Sequence, residues 1–256
     1  MKVVTNAREL PSACAFVPTM GALHAGHASL FTLARSYSES VVASIFVNPL
    51  QFESKEDLAK YPRTPDIDIE IAAAAGVTHL WLPLHDEIYP EGFTKQSAGP
   101  IGDIYEGKSR PGHFDGVLTV VRRLFDLANP KVAIFGEKDF QQLQLIKTIA
   151  GDIEIITAPT IRESDGLALS SRNVRLAPEG RTAAGVIYRA LVQAKTEEEL
   201  RAILATESAL TIDYADFIDE KTFAHAQSDT QQVRAIIAGW INGVRLIDNM
   251  AMGNRA

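Results

Sequence analysis

Cys14-Ala15-Phe16-Val17-Pro18-Thr19-Met20-Gly21-Ala22-Leu23-His24-Ala25-Gly26-His27 passes from an apolar run, through a Pro/Gly loop, into a helix-patterned segment. Residues 13–17 read as a buried strand and residues 24–36 as the helix that follows. The alternation continues outward. Residues 41–47 form a second apolar, β-rich run, residues 66–75 are helix-like and stop at Gly76, and residues 78–82 read as a strand. Val117, Val120, Val121, Leu124 and Leu127 recur at helical spacing over 116–128, with Asp115 as the expected N-cap. A strand over 131–135, a helix over 141–149 and a strand over 153–157 follow. Short apolar strands separated by helices predict an α/β fold: a Rossmann-like parallel sheet covered on both faces, with ligand loops at the carboxyl ends of its strands.

The pattern changes near Leu176-Ala177-Pro178-Glu179-Gly180. A helix bearing Ala183, Ile187, Leu191 and Ala194 comes next, and Glu197-Glu198-Glu199 opens another. Strands are expected over 214–218, 233–240 and 244–248, the last two joined at Asn242-Gly243, a strong hairpin signal. The expected organisation is a Rossmann-like domain over 1–174 and a smaller C-terminal, lid-like α+β domain over 175–256.

With 46% hydrophobic and 22% charged residues, the 256-residue chain has an ordinary globular composition. Its net charge of −7 and dispersed basic residues disfavour nucleic acid, which needs a concentrated positive surface. The single cysteine, Cys14, cannot form an internal disulfide and fits a reducing compartment. No apolar stretch approaches the ~20 residues that span a bilayer, and no signal-peptide pattern is present, so a soluble, cytoplasmic protein is expected.

Polar motifs follow the strands. His24 and His27, three apart at a helix opening, would share one helical face. Gly21 and Gly26 would admit a ligand close to the backbone, and free amides at the helix N-terminus would favour an anion. That layout suits a nucleotide triphosphate; a structural histidine pair or a His-x-x-His metal site is the competing reading. Asn48 and Gln51 follow the second strand, where their amides either read a small substrate or cap the loop. In Gly136-Glu137-Lys138-Asp139, Lys138 could neutralise phosphate and Asp139 could bind ribose or cap a helix, or the two form a surface ion pair. Ser170-Ser171-Arg172 sits in a Gly-containing loop suited to phosphate, since Arg can bond two oxygens at once. Residues 109–114 read as an ordered loop of unassigned role.

Taken together, PTMGALHAGH, SIFVNPLQF, YPRT, SRPGHFDGV, FGEKDFQQL, DGLALSSRN and a terminal RLIDN resemble the pantoate–β-alanine ligase family of His-x-Gly-His nucleotidyltransferases, over about residues 5–250. The resemblance implies ATP contacts from Met20, Gly21, Ala22, Leu23, His24, Ala25, Gly26 and His27, from Gly136, Glu137, Lys138 and Asp139, and from Leu169, Ser170, Ser171 and Arg172. Ile161 falls where the family places a valine beside adenine. His27 matches the family's catalytic histidine, with His24 and Lys138 beside it as charge stabilisers. Gln51 and Gln142 match the pantoate-binding glutamines, and Gln51 is also placed near β-alanine. The implied reaction adenylates pantoate with ATP and then transfers the pantoyl group to β-alanine. Mg²⁺ is expected on the triphosphate without dedicated protein ligands, and a homodimer is the implied assembly.

Overall fold

The computed structural model describes residues 1–52 and 54–253. Its contacts group into two compact units, residues 1–137 with 141–159, and residues 138–140 with 160–256. The change of sequence character near residue 175 lies inside the second unit.

The first unit runs β1 (Lys2–Val4), β2 (Ala15–Thr19), α1 (Ala25–Arg35), β3 (Val41–Ile45), α2 (Lys55–Lys60), α3 (Pro65–Ala74), β4 (His79–Trp81), α4 (His85–Ile88), α5 (Glu106–Ser109), α6 (His113–Ala128), β5 (Val132–Gly136), α7 (Phe140–Ile149, continuing from a 3-10 turn over Glu137–Asp139) and β6 (Glu154–Ala158). The strands form one sheet in the order β1-β4-β3-β2-β5-β6, parallel at every pairing. The expected Rossmann-like architecture is present. Apolar side chains cover the sheet: Phe31 and Ala34 of α1 pack with Val17, Val41, Ala43 and Ile134 in one core cluster. Each such fully buried Val, Ile or Phe contributes about 1.5–3 kcal/mol through removal from water. Strand order reverses between β2 and β5. Loops at such a switch point are where open α/β sheets place ligands, and these two carry the 18–27 and 136–142 motifs.

The second unit contains α8 (Pro178–Gln193), α9 (Glu197–Leu204), β7 (Thr211–Asp219), β8 (Val233–Ile241) and β9 (Val244–Ala251). Its three strands form an antiparallel sheet whose core face meets Ile187, Ala190, Leu191 and Leu200. The β8–β9 connection is the expected Asn-Gly turn, with Asn242 at φ 49° and Gly243 at φ 75°, the left-handed pair a two-residue hairpin requires.

Two expectations are corrected. Helix α6 starts at His113, not Gly116, because Gly112 at φ 77° supplies the turn into it. Asp115 is therefore in the first turn rather than at the cap, and its carboxylate accepts from Ala98 N at 2.8 Å. The expected loop over 109–114 is a short turn over 110–112 between the last residue of α5 and the start of α6. Strand β1, too short to carry a periodic signal, exists through pairing with β4.

No helix among the described residues is long and apolar enough to cross a membrane. Cys14 is fully buried, and burial pushes its thiol up to about 11. Because the thiolate is the reactive form and appears only as pH approaches that value, Cys14 is expected to resist a disulfide reagent at about pH 8 in the native protein and to react fully in denaturant. Rapid native labelling would contradict this placement.

Candidate active site

Between β2 and α1 the chain turns through Gly21 at φ 78° and Ala22 at φ 51°. A buried carboxylate from α3 holds this turn: Asp68 accepts from Ala22 N at 3.1 Å, from Leu23 N at 2.7 Å and from the Thr64 hydroxyl at 3.0 Å. A Cβ on Gly21 would lie 2.9 Å from Asp68 Oδ2, so glycine is needed here for packing as well as for its φ.

The helix opening differs from a shared helical face. His24 is the N-cap residue, outside the helix at φ −147°, and His27 is the N3 residue. The two rings form a reciprocal capping box: His24 Nδ1 accepts from Gly26 N at 3.1 Å, and His27 Nδ1 accepts from His24 N at 3.3 Å. Their centroids are 4.2 Å apart. A neutral ring whose Nδ1 accepts carries its proton on Nε2, so the cap fixes one tautomer for both histidines. It also occupies backbone donors. Gly21 N bonds Thr19 Oγ1, Ala22 N and Leu23 N bond Asp68, His24 N and Gly26 N bond the imidazoles, and His27 N bonds His24 O. The row of free amides expected for an anion is thus largely satisfied internally, and each capped imidazole keeps its hydrogen on Nε2.

After β3, Asn48 is fully buried and caps a 3-10 turn over Pro49–Gln51. Its amide is saturated. Oδ1 accepts from Leu50 N at 3.2 Å and Tyr89 Oη at 2.6 Å, while Nδ2 donates to Gln51 Oε1 at 2.9 Å and Gly116 O at 3.0 Å. Desolvation raises the Tyr89 phenol, keeping it a donor. Asn48 is thereby the loop cap, and Gln51 is the amide with capacity left: its Oε1 is occupied and its Nε2 carries two hydrogens. Gln51's carbonyl is gripped by His113 Nδ1 at 3.1 Å and Arg110 Nη2 at 3.2 Å, which gives the SRPGHF segment a visible role.

The adjacent glutamines of α7 divide in the same way. Gln141 is buried and donates to Ile101 O and Ile104 O at 2.7 and 2.8 Å while accepting from Glu106 N at 3.1 Å. Gln142 is half-buried and its side-chain amide makes no hydrogen bond among the described residues. At the end of β5, a Cβ on Gly136 would meet nothing within 4 Å, leaving open space beside the strand terminus.

In the second unit, residues 161–169 fold into a small hairpin that the sequence alone does not signal. Leu169 N donates to Ile161 O at 2.9 Å, and Arg162 pairs with Ala168, so two expected ATP contacts are direct partners across it. Ile161 is 37% exposed. The chain then turns through Ser170, whose hydroxyl accepts from Arg172 N at 3.2 Å. Lys138, Ser170 and Arg172 line one cavity, and Ser171 lies between the last two in the chain. Among the described residues, Lys138 Nζ makes only a long contact to Asp139, 3.9 Å, and the Arg172 guanidinium has no partner. Among the described residues the one three-membered group able to approach a metal is Glu197, Asp216 and His225, within 4.8 Å. None of it belongs to these motifs, and Arg201 ion-pairs with both carboxylates, which makes it a salt-bridge network.

The family model for pantoate-beta-alanine ligase matches residues 1–251. The chain belongs to the pantoate–β-alanine ligase family. Among its relatives, the pantothenate synthetase of Acidothermus cellulolyticus is 47% identical, covering 93% of this chain and 85% of that one. That of Chlorobium chlorochromatii is 44% identical, covering 98% and 93%. A crystal structure of pantothenate synthetase from Thermus thermophilus superposes with a TM-score of 0.93 at 41% identity, covering 99% of this chain and 100% of that one. A pantoate-beta-alanine ligase from Francisella tularensis, complexed with beta-gamma ATP and beta-alanine, superposes at 0.82 with 38% identity and 98% coverage of both chains.

In this pantoate–β-alanine ligase, sequence reasoning does not find Asp68 as the anchor of the β2–α1 loop, nor Arg110 and His113 as the groups that hold the Gln51 carbonyl. Asp68 lies in a helix whose repeated acidic residues look solvated, and only the fold turns one of them inward. Removing a charged acceptor from buried donors costs about 1.5–3 kcal/mol. Asp68→Ala is therefore expected to lower the unfolding free energy by about that amount in urea titration and to raise KM for ATP. An unchanged ATP dependence at reduced stability would show that the loop holds its shape without the carboxylate.

Proposed function

We propose that the histidine cap, the Lys138/Ser170/Arg172 cavity and the two glutamines serve one ATP-dependent ligation. The carboxylate of (R)-pantoate attacks the α-phosphorus of ATP, the α–β bridging bond breaks, and pantoyl adenylate and pyrophosphate form. The β-alanine amine then attacks the acyl carbonyl, AMP leaves and the amine proton is released, giving pantothenate. A carboxylate is a poor electrophile, so adenylation supplies the leaving group.

The observation that carries the assignment of the histidines is the reciprocal cap. By holding both imidazoles with Nδ1 as acceptor, it keeps the hydrogen of each ring on Nε2, the atom assigned in this reading to phosphate oxygen as charge develops. His27 is the proposed catalytic residue, assisted by His24 and Lys138. Met20, Gly21, Ala22, Leu23, Ala25 and Gly26 shape the same loop. Gly136, Glu137, Lys138 and Asp139 follow β5, and Ser170, Ser171 and Arg172 take phosphate oxygens. Ile161 and Leu169 form an apolar wall for adenine. Gln51 donates through Nε2 to pantoate and stands near β-alanine, and Gln142 binds pantoate with its uncommitted amide.

The donors of these motifs suit phosphate oxygens rather than a resident cation. Mg²⁺ is accordingly read as arriving on the triphosphate, with phosphate and water as ligands, where it neutralises charge; no residue of the chain is assigned to it. The same reading gives residues 1–174 the nucleotide and pantoate sites, makes residues 175–256 a lid-like domain, and places the enzyme in the cytoplasm as a homodimer.

Pantoate-dependent exchange of labelled pyrophosphate into ATP, followed by AMP release on adding β-alanine, tests the reaction. Exchange without a pantoate requirement would overturn the substrate assignment. His27→Asn keeps an acceptor near Nδ1, and so the cap, but removes Nε2–H. It is expected to lose about 10²–10³ in exchange rate with its unfolding midpoint nearly unchanged. His27→Ala should lose the cap as well, at about 0.5–2 kcal/mol. Near-normal turnover of His27→Asn would remove His27 from the mechanism. Gln142→Ala is expected to raise KM for pantoate, and an effect confined to ATP would reassign it.

A further inference from the structure

The segment Arg245-Leu246-Ile247-Asp248-Asn249 near the end of the chain belongs to β9 and has no part in the reaction outlined above. Asp248 and Asn249 are each only 5% exposed. Successive strand residues face opposite sides, so two adjacent buried polar side chains serve two different neighbours. Asp248 makes a two-point contact with Arg162, at 2.5 Å to Nη1 and 2.9 Å to Nη2. Arg162 in turn donates to Gly166 O at 3.1 Å and lies over the Tyr188 ring at 4.7 Å, which braces the 161–169 hairpin. Asn249 reaches the other way. Its Nδ2 donates to the backbone carbonyl of Lys138 at 2.8 Å, and its Oδ1 accepts from Arg234 Nη1 at 2.5 Å. Arg234 is itself fixed by Glu220 at 2.9 Å and by the Phe140 ring at 4.0 Å. The backbone amide of Asn249 also donates to Asp248 Oδ1 at 2.8 Å, which fixes the Asp248 carboxylate against the strand that carries Asn249.

A lysine ammonium is a point charge on a flexible four-carbon stem, so its placement is only as good as that of its backbone. We propose that Asn249 is a positioning residue for adenylation, acting through the Lys138 carbonyl, while Asp248 holds the Ile161–Leu169 hairpin in the same frame. Strand β9 thereby sets the spacing between the Lys138 cation and the adenine-side loop. This rests on the reading of Lys138 as a phosphate contact.

The discriminating experiment is a double-mutant cycle of Asn249→Asp and Lys138→Ala in the full-length enzyme. Asn249→Asp preserves size and the acceptor for Arg234, but replaces the donor to Lys138 with an oxygen that its carbonyl repels. Pantoate-dependent pyrophosphate exchange is expected to fall about tenfold or more in Asn249→Asp, the scale of a small misplacement of a catalytic group. Aminolysis of added pantoyl adenylate by β-alanine should stay within about twofold, because only the first step uses the triphosphate. In the Lys138→Ala background Asn249→Asp should cost nothing further, since residues acting as one unit are not additive. The same cycle with Asn249→Ser, which drops both amide contacts without adding charge, must give the same sign and covers the case in which Asn249→Asp does not fold. Equal losses in both half-reactions, or a full additional loss on top of Lys138→Ala, would overturn the proposal. If Lys138→Ala alone leaves exchange unchanged, the role of Lys138 fails instead and takes the positioning role with it.

Discussion

The carboxylate of Asp68, carried by helix α3 into the loop between β2 and α1, is the contact on which the geometry of that loop rests. Burying a carboxylate is unfavourable unless donors replace its water, and Ala22 N, Leu23 N and the Thr64 hydroxyl do so at 2.7–3.1 Å. This arrangement constrains the neighbours. Gly21 has no room for a Cβ, Ala22 is held at positive φ, and the chain enters α1 in the extended conformation that makes His24 a cap. The loop amides are thereby largely occupied within the fold. The histidine pair is a structural cap, and in the function proposed above it is also the chemistry of the loop, two roles that elementary motif reading sets against each other.

The same constraint governs the loop after β3. Asn48 uses all of its hydrogen-bonding capacity on Leu50, Tyr89, Gln51 and Gly116. Gly116 belongs to the contact because a Cβ there would lie 2.2 Å from Leu50 O. Gln51 is left with one end of its amide fixed and the other able to donate, and its backbone is pinned by Arg110 and His113. Gln141 and Gln142 repeat the division along one helix. Two amides are committed to architecture and two retain donors, and Asn48 fixes the side chain of Gln51 directly.

In the second unit several polar pairs are buried. Breaking one partner of such a pair is far more damaging than its net contribution suggests, because the other charge or amide is left desolvated. Arg162–Asp248 and Arg234–Asn249 therefore act as fixed points around a small hairpin and the 3-10 turn that carries Lys138. The Glu197–Asp216–His225 group is different in kind: burial raises the Asp216 carboxyl against the opposing pull of Arg201, as expected of an ion-pair network.

Much of this molecule is legible along the chain. Apolar runs of strand length separated by helical periodicity predict the parallel sheet, Asn242-Gly243 predicts the hairpin, and the short motifs around His24/His27, Lys138 and Ser170/Arg172 each admit a phosphate-binding reading beside a structural one. Those features are local: each depends on residues within a few positions of one another, where φ preference and side-chain period decide the outcome. The start of α6 is hidden because a glycine turn at Gly112, rather than an acidic cap at Asp115, opens the helix, and β1 is hidden because three residues carry no period. What only the tertiary structure decided is which polar groups are occupied and which remain. Asp68 meets Ala22 across 46 residues, His113 meets Gln51 across 62, and Asn249 meets Lys138 across 111. The sequence by itself determined the elements and the chemical types at their ends; the fold determined the hydrogen-bond capacity left at each, because that balance is struck between segments that approach only when the sheets have formed.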